Sequence, residues 1–160
     1  MTNAPILLTI AVLGGTGKEG KGLAYRWAKA GYLVLIGSRD AEKAKAAAAE
    51  LKEMLGEGSS IEGMGNLGAA RQANIVVLSV PYSAHKSTLE SVKEELKEKI
   101  LIDVTVPLVP PKVATVQMPA AGSAAQEARE VLGADAQICA AFQNISYEHL
   151  LDDADVQCDV

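Results

Sequence analysis

The sequence is poor in the residue types that build metal centres, disulfide frameworks and hydrolytic nucleophile–base pairs. Its 160 residues include two cysteines, Cys139 and Cys158, and two histidines, His85 and His149. The cysteines have no metal-like spacing and form no disulfide framework, so a reducing cytoplasm is the expected compartment. No metal cluster and no hydrolase-type pair of nucleophile and base stand out, which argues against metal-dependent or nucleophilic hydrolysis.

An excess of basic charge and long apolar runs are also missing. The formal net charge is −5, which argues against a nucleic-acid or membrane-surface partner. No stretch reaches the roughly 18 apolar residues that a membrane helix needs. The apolar N-terminus, residues 1–13, lacks the basic region of a signal peptide and runs directly into a glycine turn. We therefore expect a cytoplasmic protein without a nucleic-acid or membrane partner.

What the sequence has instead is a regular alternation of short apolar runs with helical segments. Asp40 is a plausible cap for one of these helices, and Ser123 with Gln126 forms a possible capping box for another. This order predicts an α/β fold, a doubly wound and mainly parallel sheet with helices on both faces. The predicted strands cover residues 6–13, 32–36, 75–80, 100–106 and 137–142, with a shorter one within 61–68; the predicted helices cover 22–30, 41–55, 69–73, 83–98 and 123–132.

A glycine turn follows the first predicted strand and opens the first helix. Residues 14–20 read GGTGKEG, a G-x-G-x-x-G pattern with Gly14 ahead of it. In this context Gly15 permits the tight turn, Gly17 lets the backbone approach a pyrophosphate, and Gly20 lets the helix pack closely on the strand. The unpaired N–H groups of the helix start favour phosphate. The pattern predicts a Rossmann-type dinucleotide-binding domain.

The end of the second predicted strand indicates which dinucleotide binds. An NAD site places an acidic residue there for the ribose 2′-hydroxyl, whereas this chain has Ser38 and Arg39. Arginine pairs with a 2′-phosphate through a charge-assisted fork, and serine adds a hydroxyl donor. Lys43, one helical turn further on, is either a second cation for the phosphate or a solvated surface lysine. The adjacent Asp40 is interpreted as the helix cap.

The ends of the later strands should form the rest of the site, because ligands bind at the carboxyl edge of an open α/β sheet. Val80 and Val106 would give ribose and nicotinamide an apolar wall, and Ile145 could press on the nicotinamide face. The alternative for each is a plain core position. His85 is a candidate for the pocket lining, and His149 is expected on the surface.

Several motifs, in the same order along the chain, resemble the NADPH-dependent reductases of coenzyme F420, the 8-hydroxy-5-deazaflavin. The resemblance runs from about residue 6 to residue 160 without a large gap. The matching segments are GGTGKEGKGLA at 14–24, IGSR at 36–39, VLSVPY at 77–82, IDVTVPL at 102–108, GSAAQE at 122–127 and AAFQNIS at 140–146.

The resemblance implies hydride transfer between the deazaflavin ring and nicotinamide C4, with NADP(H) as cofactor and F420 as co-substrate. It implies no catalytic acid or base, because hydride transfer between two ring carbons depends on positioning. It also implies a homodimer. Together with the residue patterns above, it gives the predicted cofactor-binding set: Gly14, Gly15, Thr16, Gly17, Lys18, Glu19, Ser38, Arg39, Lys43, Val80, Pro81, Val106, Ile145 and Tyr147.

The chain departs from the family pattern at its C-terminal end. Family members usually continue for several tens of residues, which help to close the deazaflavin pocket and the dimer, so we expect one NADP-binding domain over residues 1–160 without that part. The sequence is either a truncated form or a naturally short relative. NADP binding should survive the difference better than F420 binding. The alternative functions are another NADP-dependent oxidoreductase, ferric reductase-like or β-hydroxyacid dehydrogenase-like, or a non-catalytic NADP-binding domain.

Overall fold

The computed structural model describes residues 8–112 and 114–152, in which six strands form one parallel sheet. The strand order across the sheet is β3-β2-β1-β4-β5-β6, the order of dinucleotide-binding folds of the Rossmann type. The predicted fold class is therefore confirmed. The strands are β1 (Thr9–Leu13), β2 (Leu33–Ser38), β3 (Ile61–Gly65), β4 (Ile75–Leu78), β5 (Ile100–Asp103) and β6 (Gln137–Ala140).

Helices connect the strands and cover both faces of the sheet. Along β1, Ile10 and Val12 belong to one apolar cluster, while Ala11 and Leu13 belong to another. This follows because successive strand residues point to opposite faces. The helices are α1 (Lys18–Lys29), α2 (Ala41–Leu55), α3 (Asn66–Gln72), α4 (Tyr82–Val92), α5 (Ala124–Leu132) and α6 (Tyr147–Leu150), with a short 3-10 turn at Lys93–Leu96.

Helix α2 and both predicted caps agree with the sequence patterns. Asp40 Oδ1 accepts hydrogen bonds from the backbone N–H of Glu42 at 3.0 Å and of Lys43 at 3.3 Å. Ser123 Oγ accepts from the backbone N–H of Gln126 at 3.1 Å. Asp40 is therefore the N-cap of α2, as the sequence predicted.

Other boundaries differ from the predictions. Helix α1 starts at residue 18 and not 22, because Gly17 already takes the N-cap position, and α3 starts at residue 66 and not 69. Strands β4, β5 and β6 end two or three residues before the predicted ends at 80, 106 and 142. Val80 after β4 and Val106 after β5 leave the sheet and line cavities, whereas Phe142 after β6 packs against the apolar core. Residues 6 and 7 of the first predicted strand lie outside the described residues.

Membrane-spanning helices and metal-binding clusters are absent from residues 8–112 and 114–152. No helix in these ranges is long and apolar enough to cross a membrane. No group of three or more histidine, cysteine, aspartate or glutamate side chains within them could hold a metal ion.

Candidate functional site

The turn between β1 and α1 is packed so closely that three of its glycines have no space for a side chain. A Cβ on Gly14, which has φ +77°, would collide with the carbonyl oxygen of Ser79. A Cβ on Gly15 would lie 2.8 Å from the carbonyl oxygen of Val12, and one on Gly20 would lie 2.8 Å from that of Gly14. These glycines are required by the protein's own packing.

Gly17 differs from the other glycines of the turn, because its Cα faces open space. The nearest atom to a Cβ placed there is the carbonyl oxygen of Gly14, at an ordinary 3.4 Å. Gly17 is exposed and forms part of the lining of two cavities. The absence of a side chain here leaves the backbone open to a ligand, as a pyrophosphate site requires.

Backbone hydrogen bonds fix the turn to the end of β2. The N–H groups of Gly14 and Gly15 both donate to the carbonyl oxygen of Gly37 at 3.1 Å. Gly37 directly precedes Ser38 and Arg39. The helix start that favours phosphate and the residues predicted to select a 2′-phosphate are therefore held in a fixed relation.

A cavity of about 190 Å³ lies between the glycine turn and the ends of β2 and β4. We call it the Arg39 cavity. Arg39 is exposed, and the Ser38 hydroxyl accepts a hydrogen bond from the backbone N–H of Asp40 at 3.2 Å, which leaves its own hydrogen free to donate. The cavity is lined by Gly14, Thr16, Gly17, Ser38, Arg39, Asn66, Ser79, Val80, Pro81, Ala84 and Thr88.

A second cavity, of about 500 Å³, lies on the other side of the glycine turn. We call it the Thr105 cavity. One wall is apolar and includes Val80, Val106 and Leu108, while Glu19 and Thr105 contribute polar groups. Its volume falls in the range of small-molecule sites. The complete lining is Gly17, Lys18, Glu19, Gly20, Ser79, Val80, Pro81, Tyr82, Ser83, Val104, Thr105, Val106, Leu108, Pro110 and Gln143.

The two cavities adjoin at the carboxyl edge of the sheet, where Gly17, Ser79, Val80 and Pro81 line both, and together they are called the cleft. Ten of the fourteen predicted cofactor-binding residues line this cleft: Gly14, Thr16, Gly17, Lys18, Glu19, Ser38, Arg39, Val80, Pro81 and Val106. The cleft therefore brings most of the predicted site together around the glycine turn.

The other four predicted residues lie outside the lining of the two cavities. Gly15 is buried beneath the turn, and Lys43 is exposed on the first turn of α2. Ile145 packs against the apolar cluster that contains Val12 and Leu23. Tyr147 contacts the Lys18 ammonium, which lies 4.7 Å from the ring centroid and donates to the hydroxyl at 3.3 Å. Contact of these residues with a cofactor stays a prediction.

His85 is not a lining residue of either cavity. It is buried, and its Nε2 lies 2.7 Å from Oδ2 of the equally buried Asp103 at the end of β5. The other carboxyl oxygen of Asp103 accepts from the backbone N–H of Thr105 at 3.0 Å, and its carbonyl oxygen accepts from the side-chain amide of Gln143 at 3.0 Å. Asp103, which His85 contacts, thus holds Thr105 and Gln143, two lining residues of the Thr105 cavity, by hydrogen bonds. His149 is exposed, as predicted.

Glu19 is the acidic residue of the glycine turn, and it is half-buried in the wall of the Thr105 cavity. Burial raises the pKa of Glu19 above its ordinary value of 4.5, because desolvation disfavours the ionised form. A carboxyl whose pKa rises on folding stabilises the fold below its unfolded-state pKa, and this contribution is lost as the pH rises through the folded-state value. Ionised Glu19 is therefore slightly unfavourable at neutral pH.

We expect Glu19→Gln to increase the free energy of unfolding at pH 7 by about 0.5 kcal/mol or less, since solvent screens a half-buried group. At about pH 3, well below the ordinary pKa of a glutamate, the substitution should have no effect. Urea unfolding at the two pH values measures this difference. Glu53→Gln, the same change at an exposed position of α2, is the control; a gain at neutral pH for Glu53→Gln equal to that for Glu19→Gln would contradict the assignment to burial.

The sequence patterns missed Asn66 and Thr88 of the Arg39 cavity. Asn66 follows β3, whose neighbour in the sheet is β2. The three-residue error in the start of α3 hid it, because the prediction placed residue 66 in a turn. Ser79, Thr105 and Gln143, by contrast, lie in strand-end segments where the sequence predicted the site.

Comparison with protein-family models and with curated relatives agrees with this geometry. The model described as "NADP oxidoreductase coenzyme F420-dependent" matches residues 9–107. An F420-dependent NADP reductase of Methanothermobacter thermautotrophicus is 42% identical over 160 aligned residues, which cover 96% of this chain and 69% of the relative. The enzyme of the same name from Methanothermobacter marburgensis is 44% identical over 158 residues, covering 95% and 70% respectively.

A solved structure shows the same fold. A crystal structure from Arthrobacter sp. FB24, assigned as an F420-dependent NADP-reductase, superimposes with a TM-score of 0.72 at 25% sequence identity. The match covers 88% of this chain and 65% of that one. The chain thus spans about two thirds to seven tenths of the length of the proteins that it matches.

Proposed function

Because the chain belongs to the family of coenzyme F420-dependent NADP oxidoreductases, we propose that it transfers hydride between NADP(H) and the deazaflavin F420. The observation that supports this most directly is the pair of adjoining cavities, the Arg39 cavity and the Thr105 cavity, which Gly17 lines on both sides. A dinucleotide laid across Gly17 would have its phosphorylated ribose at one end and its nicotinamide at the other. The relatives' names specify both NADP and F420.

The residues present fit NADP(H). Gly14, Gly15 and Gly20 allow the tight turn, and Gly17 leaves the backbone of that turn open to a pyrophosphate. Arg39 and Ser38 at the far end supply a cation and a hydroxyl donor, the chemistry that a phosphate monoester requires. When bound, the nicotinamide ring would donate or accept the hydride at C4.

The chain's own contribution to the reaction would be positioning and exclusion of water. Val80, Val106 and Leu108 form the apolar wall against which two flat rings can lie. The hydroxyl of Tyr82 donates to Glu127 at 2.8 Å, and this bond together with burial raises the pKa of Tyr82 above its ordinary value. Tyr82 and the buried His85 are thus both engaged in structural hydrogen bonds, which suits a reaction without an acid–base pair.

Arg39 is the residue on which the choice of NADP over NAD rests. We expect Arg39→Ala to weaken NADPH binding by more than about tenfold, because an exposed charge-assisted pair with phosphate is lost. Binding of NADH, which has no 2′-phosphate, should stay nearly unchanged. Fluorescence titration of both cofactors measures the difference; an equal loss for NADH would contradict the 2′-phosphate assignment.

The direct test of the proposed function is the absorbance of oxidised F420 when NADPH is added to the 160-residue chain. A decay that depends on enzyme concentration supports hydride transfer. Unchanged absorbance, with NADPH binding intact in a parallel titration, would contradict the activity for this chain and leave an NADP-binding domain. An absence of NADPH binding would overturn the cofactor assignment as well.

The proposal extends to a single NADP-binding domain, a homodimer and a cytoplasmic location. Exposed apolar side chains beside the Thr105 cavity support association with a second copy: Leu108 is 38% exposed, Val116 45% and Met118 72%. A surface of this kind often belongs to an interface. The mass of the protein in solution tests the dimer.

A further inference from the structure

Asn66 lies at the phosphate end of the cleft without a role in the protein's own structure. It is the first residue of α3 and directly follows Gly65, which pairs in register with Ser38 across the neighbouring strands β3 and β2. Asn66 lines the Arg39 cavity together with Ser38 and Arg39. A ligand held by those two residues would therefore lie within reach of the Asn66 amide.

The Asn66 side chain makes no hydrogen bond within the part of the chain that the structure describes, and its Oδ1 is a buried atom without a partner. Leaving a buried polar atom unsatisfied is destabilising, so such a group calls for an explanation. Asn74 shows the contrast, since its Oδ1 accepts from the backbone N–H of Thr9 at 2.9 Å and joins the segment before β4 to β1. Asn66 does not cap α3 either, because Gly65 is the N-cap.

The strand beside Asn66 is shaped to admit its amide. A Cβ on Gly37 would lie 2.8 Å from Asn66 Oδ1 and also 2.8 Å from Leu13 Cδ2. Any larger residue in place of Gly37 would push the amide out of its position. The same Gly37 carbonyl oxygen holds the glycine turn, so the position of the amide is linked to the position of the pyrophosphate turn.

We propose that Asn66 is a ligand of the 2′-phosphorylated ribose of NADP(H), an inference that rests on the proposed function. An amide offers an acceptor and a donor group side by side. The phosphorylated ribose offers the matching pair, a hydroxyl that donates and a phosphate that accepts. A carboxylate at this position would still accept from the hydroxyl but would repel the phosphate. Asn66 would thus add to the preference of Arg39 for NADP(H) over NAD(H), and it would do so without adding charge to the site.

The test compares two substitutions by fluorescence titration of NADPH and NADH. Asn66→Asp is expected to weaken NADPH binding by at least about tenfold and NADH binding by less than about threefold, because only NADPH brings a second negative charge. Asn66→Ala, which adds no charge, should weaken NADPH binding by about three- to tenfold. Circular dichroism and thermal unfolding verify that each variant is folded, and if Asn66→Asp does not fold, the Asn66→Ala result decides.

Asn74→Asp is the matched control, since it makes the same change of charge at the other asparagine of this region, outside both cavities. It should leave NADPH binding unchanged. Unchanged NADPH affinity in Asn66→Asp and Asn66→Ala, or an equal loss for NADPH and NADH in Asn66→Asp, would overturn the role of Asn66 while Arg39→Ala still reports on the cofactor site. A wild-type chain that does not bind NADPH would instead overturn the proposed function.

Discussion

Replacement of Gly17 by valine is expected to abolish NADP(H) binding, with a loss of at least about a hundredfold, while the chain remains folded. The protein tolerates a side chain at this position, because the nearest atom to a new Cβ is 3.4 Å away and the backbone angles, φ −75° and ψ 162°, suit a β-branched residue. Cofactor binding does not tolerate this side chain, because the valine would project into the cleft where the pyrophosphate must approach the backbone.

The chain offers a closely matched control in Gly65, the N-cap of α3. Its backbone angles, φ −66° and ψ 149°, are nearly the same, and no atom lies within 4 Å of a Cβ placed there. Gly65→Val introduces the same side chain outside both cavities and should keep NADPH binding within about threefold. The expectation for Gly17 fails if Gly17→Val binds NADPH normally, or if unfolding accounts for its loss of binding.

The second large effect is on stability and concerns the buried contact between His85 and Asp103. We expect His85→Leu to lower the free energy of unfolding by about 2–4 kcal/mol, because the Asp103 carboxyl would lose its partner in the interior. Urea unfolding followed by circular dichroism measures the loss. NADPH binding at a temperature where the variant is folded should change much less, because neither side chain lines the cleft.

A double-mutant cycle separates the contact from general damage to the core. His85→Leu combined with Asp103→Leu removes both polar groups together and should cost less than the sum of the two single substitutions. The coupling isolates the 2.7 Å contact from the volume changes. Strictly additive losses would show that the two side chains do not stabilise each other.

The pattern of strands and helices was predictable because buried parallel strands consist of short apolar runs, and glycine or proline residues mark the ends of those runs. Helix α2 agrees with its predicted bounds, because its alanine-rich segment strongly favours a helix and Asp40 and Gly56 mark its two ends. The ends of β4 and β5 were predicted too late. Val80 and Val106 are as apolar as strand residues, but they cover a cleft, and composition does not distinguish a sheet from a cavity wall.

The glycine turn and Arg39 could be located from sequence because their spacing along one βαβ unit reflects the geometry of the ligand. Asn66 and the His85–Asp103 pair could not. Asn66 stands out because its side-chain oxygen lacks a hydrogen-bond partner, and His85 stands out because it has one, Asp103. Asp103 is 18 residues from His85 in sequence, so the contact between them is visible only in the folded chain. A histidine that follows a strand can line a pocket or lie in the core, and the sequence pattern is the same in both cases. The packing around the side chain distinguishes the two.

The end of the described chain lies against α1, so this helix is fully covered only when residues 149–152 have been added during synthesis. Arg26 donates to the carbonyl oxygens of His149 at 2.8 Å and Leu150 at 2.7 Å and also to that of Asp152, and Leu150 fills the space left by Gly22. The partners are more than 120 residues apart in sequence. While the ribosome is still adding the intervening strands, the surface of α1 that these residues cover therefore remains exposed to water and to chaperones until residues 149–152 have been synthesised.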